Sequence, residues 1–345
     1  MTLLYFIIIL GVIISIHEFG HFIFAKKAGI YVYEFSIGMG PVILRKKRPG
    51  DETDYCLRLF PIGGFVQMAG EEIEDDKSVP KNKKFISKTF GQKFMTVIAG
   101  IMMNFVLAIV LLFIVGLVNG SPQGKPIVGE LDPSYPAYSS GLLEGDQILK
   151  VNGKMANTTD KLTLQLQVYK GKSIDFEVLR DGKVKNIKIK PVKEEVKGTT
   201  VYRYGFQIND NIEKGILPAV KYSITKTLSL LQQMVFIIFY LCTGALSLGS
   251  LSGPVGIYGV VGDAASTGIS SLLYLTAYIS INVGFINFLP LPAFDGGRIL
   301  FLIIEKIKGS PVNPKFENTI HSIGLFLLLA LMVVVTYNDI IKLIK

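Results

Sequence analysis

The sequence predicts a polytopic α-helical membrane protein with about four transmembrane helices, a membrane-associated β-hairpin and one inserted α+β domain. Half of the 345 residues are hydrophobic, and they are concentrated in long runs near both ends of the chain. A polar stretch separates these runs, as expected for a soluble domain inserted between membrane helices. Within the polar segments, aromatic and β-branched residues alternate with polar ones, which favours strands.

The first apolar run covers residues 3–25. About 20 apolar residues cross the hydrocarbon core of a bilayer, so the run predicts a transmembrane helix. No basic segment precedes it and no small-residue cleavage site follows, so we expect a retained span rather than a removed signal peptide. Ionisable groups at membrane depth are costly and indicate a functional site. Three of them lie here, His17, Glu18 and His21.

The spacing of these three groups is typical of a metal site. His17 and His21 are four residues apart, so both imidazoles lie on one face of a helix and can hold one ion. Glu18 projects about 100° round the helix and can reach a water on the metal without being a ligand. This is the H-E-x-x-H pattern of metalloproteases, with the glutamate as general base. Zinc usually takes three protein ligands, so one more must come from elsewhere. The alternative interpretation is a set of polar residues buried by chance.

The basic residues indicate an orientation in the membrane. Segment 26–93 is rich in Lys and Arg, whereas none precedes the first span. The positive-inside rule therefore places this segment in the cytoplasm, the N-terminus outside and the metal site toward the cytoplasmic side. Residues 31–38 and 54–70 are predicted strands of a sheet close to the membrane, the alternative being a plain loop. An edge of this sheet facing the metal site could pair with an extended substrate.

A second span is predicted over residues 94–118, with Asn104 as its one strongly polar group. We expect Asn104 to hydrogen-bond to a neighbouring helix rather than to act in catalysis. The insert follows at 122–210, and this topology places it outside the cell. Its pattern is strand, short helix and strand over 127–154, and then a helix at about 160–169.

The remainder of the insert is also predicted to be β-rich. Two strands are joined by Asp181-Gly182, which is a strong hairpin signal. Residues 201–208 are expected to close the sheet. With GLLEGDQILKVNG at 141–153, the insert resembles a PDZ domain. PDZ domains bind extended peptides by adding a strand, so the resemblance implies that the insert selects or excludes substrates. The alternative is a structural spacer.

Residues 219–249 are apolar but interrupted by Lys and Gln. This pattern favours an amphipathic helix on the membrane surface over a fifth span. The Gly and Pro content of 251–268 predicts a re-entrant or irregular element. These features divide the chain into the first two spans with their cytoplasmic hairpin, the insert, an amphipathic and Gly/Pro-rich region, and the last two spans. The corresponding ranges are 1–118, 122–210, 211–268 and 269–345.

The run at 269–304 is too long for one span, and Pro290 and Pro292 break it. Asp295 follows the break and needs a partner at this depth, and a metal held by His17 and His21 would be one. The alternative is an aspartate that caps the next helix.

A last span is expected over about 316–338, with His321 as a structural histidine. Basic residues place the loop before it in the cytoplasm and the C-terminus outside, although Lys342 and Lys345 argue mildly against that end.

Taken together, HEFGH at 17–21, the PDZ-like insert and NFLPLPAFDGG at 287–297 resemble the site-2 protease family of intramembrane zinc metalloproteases. The match is closest to the bacterial branch with an extracytoplasmic PDZ domain and covers nearly the whole chain. It implies Zn²⁺ held by His17, His21 and Asp295, with Glu18 as catalytic base. Asn287 matches the family's N-x-x-P-x-P-x-x-D-G pattern, which implies a substrate-positioning or transition-state donor.

One departure from the family concerns the second span. The family often carries G-P-x-x-N there, whereas this chain has Gly100-Ile101-Met102-Met103-Asn104. The missing proline bears on a local kink of the helix and not on the chemistry.

The resemblance implies regulated proteolysis in the bacterial cytoplasmic membrane, surrounded by lipid. Substrates of the family are single-span membrane proteins, among them anti-sigma factors, signal-peptide remnants and pheromone precursors. Despite a net charge of +9, no nucleic-acid-binding signature is present. The two cysteines are far apart and do not indicate a disulfide framework.

Two other functions stay open at this point. One is a catalytically silent scaffold that presents a PDZ domain, and the intact H-E-x-x-H and aspartate argue against it. The other is a metal transporter that uses the same ligands. A transporter is expected to show repeated helices or several metal sites, and the sequence shows neither.

Overall fold

Two units make up the fold of this chain in a computed structural model. The first comprises Met1–Leu111 and Ser252–Ile340, and the second comprises Leu112–Leu251 and Ile341–Lys345. The structure describes residues 1–71, 76–196, 199–209, 211–246 and 252–344. Lys345, Leu251 at the start of the predicted Gly/Pro-rich element, and residues 247–249 at the end of the predicted amphipathic segment lie outside these ranges.

The long helices cover the apolar runs predicted from the sequence, as far as the described residues extend. Their bounds are α1 (Thr2–Lys27), α2 (Phe90–Asn119), α3 (Pro136–Ser139), α4 (Thr159–Val168), α5 (Ile216–Cys242), α6 (Pro254–Thr267), α7 (Ile269–Phe288), α8 (Asp295–Lys308) and α9 (Pro314–Ile344), with short 3-10 helices at Lys81–Lys83 and Phe85–Ser87. By length and composition, five described helices could cross a membrane, namely α1, α2, α5, α7 and most of α9. The sequence predicted about four spans, and the helix that makes the difference is α5.

The predicted hairpin between the first two long helices is present and is longer than expected. It consists of β1 (Val32–Lys47) and β2 (Asp54–Met68), and each strand bends back on itself. Ser36 is therefore paired with both Cys56 and Phe65, while Arg45 also pairs with Cys56. The result is a four-stranded ribbon, whose segments lie side by side in the order 42–47, 54–58, 32–37 and 64–68. Glycines with positive φ, at 38 and 40 in β1 and at 63 in β2, allow these bends.

The bend of this sheet lies alongside the middle of α1. A Cβ atom on Gly11 would be 2.5 Å from the carbonyl oxygen of Pro61, so the helix and the bend touch there. Gly11 precedes His17 by six residues, or about 9 Å along a helix. Apolar side chains are exposed around the bend, at Met39, Ile43, Leu59, Phe60 and Ile62. These side chains form an exposed apolar surface at the bend.

The Gly/Pro-rich segment is a regular helix, α6, and the expectation of irregular backbone is wrong. Pro254 lies in the first turn, where its missing N–H costs nothing. The carboxylate of Asp339 in α9 accepts hydrogen bonds from the backbone N–H groups of Gly253 (2.7 Å) and Gly256 (2.9 Å). This carboxylate satisfies N–H groups of the helix N-terminus that would otherwise lack partners. The sequence could not reveal a cap supplied from more than 80 residues away.

The second unit contains a small antiparallel sheet with a helix packed on it. Its strands are β3 (Ser121–Pro122), β4 (Ile127–Leu131), β5 (Gln147–Val151), β6 (Lys154–Met155), β7 (Ile174–Arg180), β8 (Lys183–Ile189), β9 (Val192–Val196), β10 (Thr199–Arg203), β11 (Phe206–Asn209) and β12 (Ile212–Glu213). The main sheet has the order β11-β4-β5-β7-β8, with β6 beside β5. Two pairs lie outside it, β9 with β10 and β3 with β12.

The predicted hairpin at Asp181-Gly182 is confirmed, since both residues have positive φ between β7 and β8. The prediction that 201–208 forms one closing strand is wrong in part. Gly205, at φ +88°, divides the segment, so that only β11 joins the main sheet.

Asp146 is buried, which disfavours its charged form. Its ion pair with Arg180 and the N–H of Leu143 outweigh this effect and hold the pKa of Asp146 below its usual value.

Helix α5 is amphipathic, and its polar side packs on α4. Lys226 Nζ lies 2.6 Å from a carboxylate oxygen of Asp160, and Ser229 Oγ donates to the other oxygen at 2.8 Å. About three turns further along α5, the Tyr240 hydroxyl accepts a hydrogen bond from the side-chain amide nitrogen of Gln165 at 3.2 Å. The opposite side carries exposed apolar residues at helical spacing, including Leu217, Ile224, Leu228 and Val235. Lys226, one of the polar residues that interrupt this apolar run in the sequence, therefore contacts the inserted domain.

Candidate metal centre

Three predicted ligands meet at one point in the first unit. His17 and His21 lie one turn apart in α1, and Asp295 is the first residue of α8. His17 Nε2 is 3.0 Å from Asp295 Oδ2 and 3.1 Å from His21 Nε2, and His21 Nε2 is 3.4 Å from Asp295 Oδ2. Both histidines are buried, at 8% and 9% exposed. Among the described residues, this trio is the one group of His, Cys, Asp and Glu side chains arranged to hold a metal ion.

The three atoms fit a tetrahedral zinc ion. Bonds of about 2.0–2.1 Å at tetrahedral angles put neighbouring ligand atoms about 3.3 Å apart. The observed separations of 3.0, 3.1 and 3.4 Å lie on either side of that value. Asp295 Oδ2 is also buried without a hydrogen-bond donor of acceptable geometry among the described residues. A buried carboxylate oxygen aimed at two imidazole nitrogens is the donor set expected for zinc.

The break between α7 and α8 positions Asp295. Ala293 adopts a left-handed conformation, at φ +73°, and its N–H donates to His321 Nδ1 at 3.0 Å. A Cβ atom on Gly296 or Gly297 would overlap backbone carbonyl groups of this break. The helix therefore begins with its first turn folded tightly against the Pro-rich loop. Phe294, and not Asp295, is the N-cap residue, and no side chain caps α8. The alternative interpretation of Asp295 as a helix cap is wrong.

The other ring nitrogens of the two histidines face α2. His21 Nδ1 lies 2.9 Å from the carbonyl oxygen of Thr96, so its N–H can donate a hydrogen bond to that oxygen. His17 Nδ1 lies 3.2 Å from the side-chain amide of Asn104. The expectation that Asn104 bonds to a neighbouring helix is confirmed. Partners of this kind fix the tautomer and orientation of a metal-binding histidine.

Two glycines let α1 and α2 approach each other at the centre. A Cβ atom on Gly20 would overlap the carbonyl oxygen of Ala99. A Cβ atom on Gly100 would overlap His21 Nε2 and lie 3.0 Å from His17 Cε1. No pattern in the sequence marks these glycines or Thr96 as part of the metal site. The signal that could have found them is the small-residue spacing that marks close helix contacts in membranes.

Glu18 lies next to the three candidate ligands without belonging to them. It is half-buried on the adjoining face of α1, within electrostatic reach of His17, His21 and Asp295. The sheet segment 64–68 passes beside it, since a Cβ atom on Gly64 would lie 3.7 Å from Glu18 Cγ. A carboxylate in this place can exchange protons with a molecule bound at the centre.

The family resemblance implies a substrate-positioning or transition-state role for Asn287, whereas the sequence predicts a structural role for His321. Asn287 lies in the last turn of α7 and is half-buried. Within the described part of the chain, no hydrogen bond joins it to His17, His21 or Asp295. His321 holds the loop before Asp295, as described above, and its ring also packs 5.7 Å from that of Phe301. Its use is structural, as the sequence predicted.

Comparison with known proteins gives matches along nearly the whole chain. A model of peptidase family M50 matches residues 5–331. The chain is 35% identical to the regulator of sigma-W protease RasP of Bacillus subtilis, and the match covers 99% of both chains. It is 33% identical to the zinc metalloprotease RasP of Geobacillus kaustophilus, over 99% of this chain and 98% of that one. A zinc metalloprotease RasP of Oceanobacillus iheyensis is also 33% identical, over 99% of both chains.

Proposed function

This chain belongs to peptidase family M50 and is a metalloprotease, and we propose that it cuts transmembrane segments of single-span membrane proteins with a zinc ion held by His17, His21 and Asp295. The observation that carries the proposal is the convergence of these three side chains at separations of 3.0–3.4 Å, with both histidines inside a long apolar helix. Mass spectrometry of the products from a single-span substrate tests it. Cleavage within the apolar segment is expected, and cleavage confined to soluble flanks would contradict it.

The chain's own residues suit peptide hydrolysis. Bound at the centre, zinc supplies Lewis-acid activation of a water molecule and of the scissile carbonyl. Glu18 accepts the proton of the attacking water, because it lies beside the ligands without being one of them. It then returns that proton to the nitrogen of the leaving amine. Burial of the site strengthens these charge interactions by excluding bulk water.

A substrate helix must unwind before it can be cut, because its backbone groups are bonded internally. The sheet segment 64–68 beside Glu18 is an edge strand of the four-stranded ribbon. An unwound substrate can add to this edge as a strand, which satisfies its freed backbone groups next to the metal. The name of the Bacillus subtilis relative refers to the regulation of sigma-W, so we propose a membrane-bound anti-sigma factor as one class of substrate.

We also propose a location in the bacterial cytoplasmic membrane, with the N-terminus and the insert outside and the metal centre toward the cytoplasm. The Lys and Arg content of segment 26–93 supports this orientation. Helix α5 is proposed to lie on the membrane surface, because its polar side contacts α4 and its opposite side is apolar and exposed. A membrane-impermeant thiol reagent should label a cysteine introduced into the insert of intact cells. Labelling only after lysis would reverse the proposed orientation.

Asn287 is proposed to donate a hydrogen bond to the oxyanion that forms at the scissile carbonyl. The variant Asn287→Ala is expected to lower kcat by about 100-fold or more, since a single oxyanion donor contributes that much. The zinc content should not change, because Asn287 is not one of the three ligands. Unchanged kcat, or loss of zinc, would contradict this role.

For the PDZ-like insert we propose a role as a size gate that admits substrates already shortened outside the membrane. Its sheet and α4 support a peptide-binding domain of the kind the sequence predicts. Deleting residues 122–210 should raise cleavage of a full-length substrate toward that of a trimmed one. Equal discrimination with and without the insert would exclude gating and leave a spacer.

A further inference from the structure

We propose that Asn104 is a positioning residue, which holds the metal ligand His17 through its side-chain amide oxygen. The proposal rests on the metal site described above and adds a residue that does not touch the metal. Asn104 lies in the middle of α2 and is fully buried, at 0% exposed. Its side-chain amide lies 3.2 Å from His17 Nδ1.

The chemistry of His17 decides which amide atom must face it. His17 Nε2 points at Asp295 and His21, so a metal bound there leaves the proton on Nδ1. The partner of Nδ1 must then be an acceptor, and an amide nitrogen cannot accept a hydrogen bond. As placed, the amide nitrogen faces His17, while Oδ1 is buried and has no partner among the described residues. Oxygen and nitrogen of an amide have the same shape, so a rotation of 180° brings Oδ1 to His17.

The backbone around Asn104 is fixed in a way that suits this task. Ser280 Oγ in α7 donates to the carbonyl oxygen of Asn104 at 2.8 Å. The carbonyl oxygen of Thr96, also in α2, accepts a hydrogen bond from His21 Nδ1 at 2.9 Å. The two histidines therefore have parallel supports, a backbone carbonyl for His21 and a side-chain carbonyl for His17. The second support is a side chain, so mutation can remove it.

Zinc affinity of the full-length protein in detergent tests the proposal, with Zn²⁺ competed against a chromophoric chelator. Asn104→Leu keeps the approximate size but offers no acceptor, and its affinity should fall 10- to 100-fold. Asn104→Asp keeps an acceptor in the same place, and its affinity should stay close to that of the wild type. If Asn104→Leu does not fold, Asn104→Ala gives the same comparison without added bulk. Thr276→Val is the matched control, because this buried hydroxyl bonds to the Leu272 carbonyl of its own helix.

The rescue by Asp separates positioning from packing. If the amide nitrogen donated to His17 instead, Asn104→Asp would lose the contact and bind zinc as weakly as Asn104→Leu, which would overturn the proposal. Equal affinities of Asn104→Leu and wild type would overturn it too. A wild type that binds no zinc would overturn the proposed function as well, whereas a zinc-binding wild type with an unaffected Leu variant would overturn only the role of Asn104.

Discussion

Replacing Glu18 by Gln is expected to abolish cleavage while zinc stays bound. Gln has the same shape but cannot take a proton from the attacking water. General acid–base catalysis contributes about 10²–10⁴-fold, and Glu18 serves both proton transfers, so the rate should fall by about 10⁴-fold. Zinc should remain, because the three converging atoms belong to His17, His21 and Asp295. Single-turnover cleavage of a single-span substrate and elemental analysis of the same preparation measure the two quantities.

A matched control for this variant is Glu130→Gln, which makes the same change at an exposed position on β4. Its cleavage rate should equal that of the wild type. Two results would remove Glu18 from its proposed role. One is cleavage by Glu18→Gln at more than a few per cent of the wild-type rate, and the other is a parallel loss of zinc, which would make Glu18 a ligand.

A single methyl group at Gly100 is expected to disrupt the metal centre. In Gly100→Ala, the added Cβ would overlap His21 Nε2 and lie 3.0 Å from His17 Cε1. Either the imidazoles rotate or α1 and α2 separate, and a displacement of about 1 Å at a catalytic site costs about 100-fold in rate. Zinc affinity should fall with the cleavage rate, because the overlapped atom is one of the three proposed ligand atoms. Chelator competition and cleavage assays measure both.

The same helix offers the control for this substitution. Gly91 also lies in α2, and a Cβ atom there would meet nothing within 4 Å. Gly91→Ala should therefore leave zinc affinity and cleavage unchanged, so a general effect of alanine on the helix is accounted for. Tight zinc binding by Gly100→Ala would mean that the space beside the histidines is not needed for the metal.

The residues proposed to form the centre could be predicted because ionisable side chains are unusual at their positions in the sequence. His17, Glu18 and His21 are costly inside an apolar run, and Asp295 is equally costly after a break set by Pro290 and Pro292. Local spacing on one helix predicts a shared face for the two histidines. The sequence gives no geometric reason for Asp295 to approach them. It indicates only that an aspartate at this depth requires a partner, and the structure brings the three side chains together.

Features that depend on contacts between distant segments could not be predicted. The cap that Asp339 provides makes α6 regular, whereas the local Gly and Pro content suggested irregular backbone. Thr96 contributes through a backbone carbonyl, which every residue possesses, so its identity carries no signal. Gly100 matters because of what lies opposite to it, and that is a property of the helix pair. In β1, the positive φ of Gly38 and Gly40 permits a fold-back that alternation alone did not indicate.

The zinc content of the purified wild type and of Asp295→Ala, measured together with cleavage of a single-span substrate, tests the central claim most directly. The wild type should contain stoichiometric zinc and cut within the apolar segment, chelation should stop cleavage, and added zinc should restore it. Asp295→Ala should neither retain zinc nor cut. Zinc and cleavage both retained in Asp295→Ala, or a cleaving wild type without zinc, would contradict the assignment of His17, His21 and Asp295 as the metal centre of this protease.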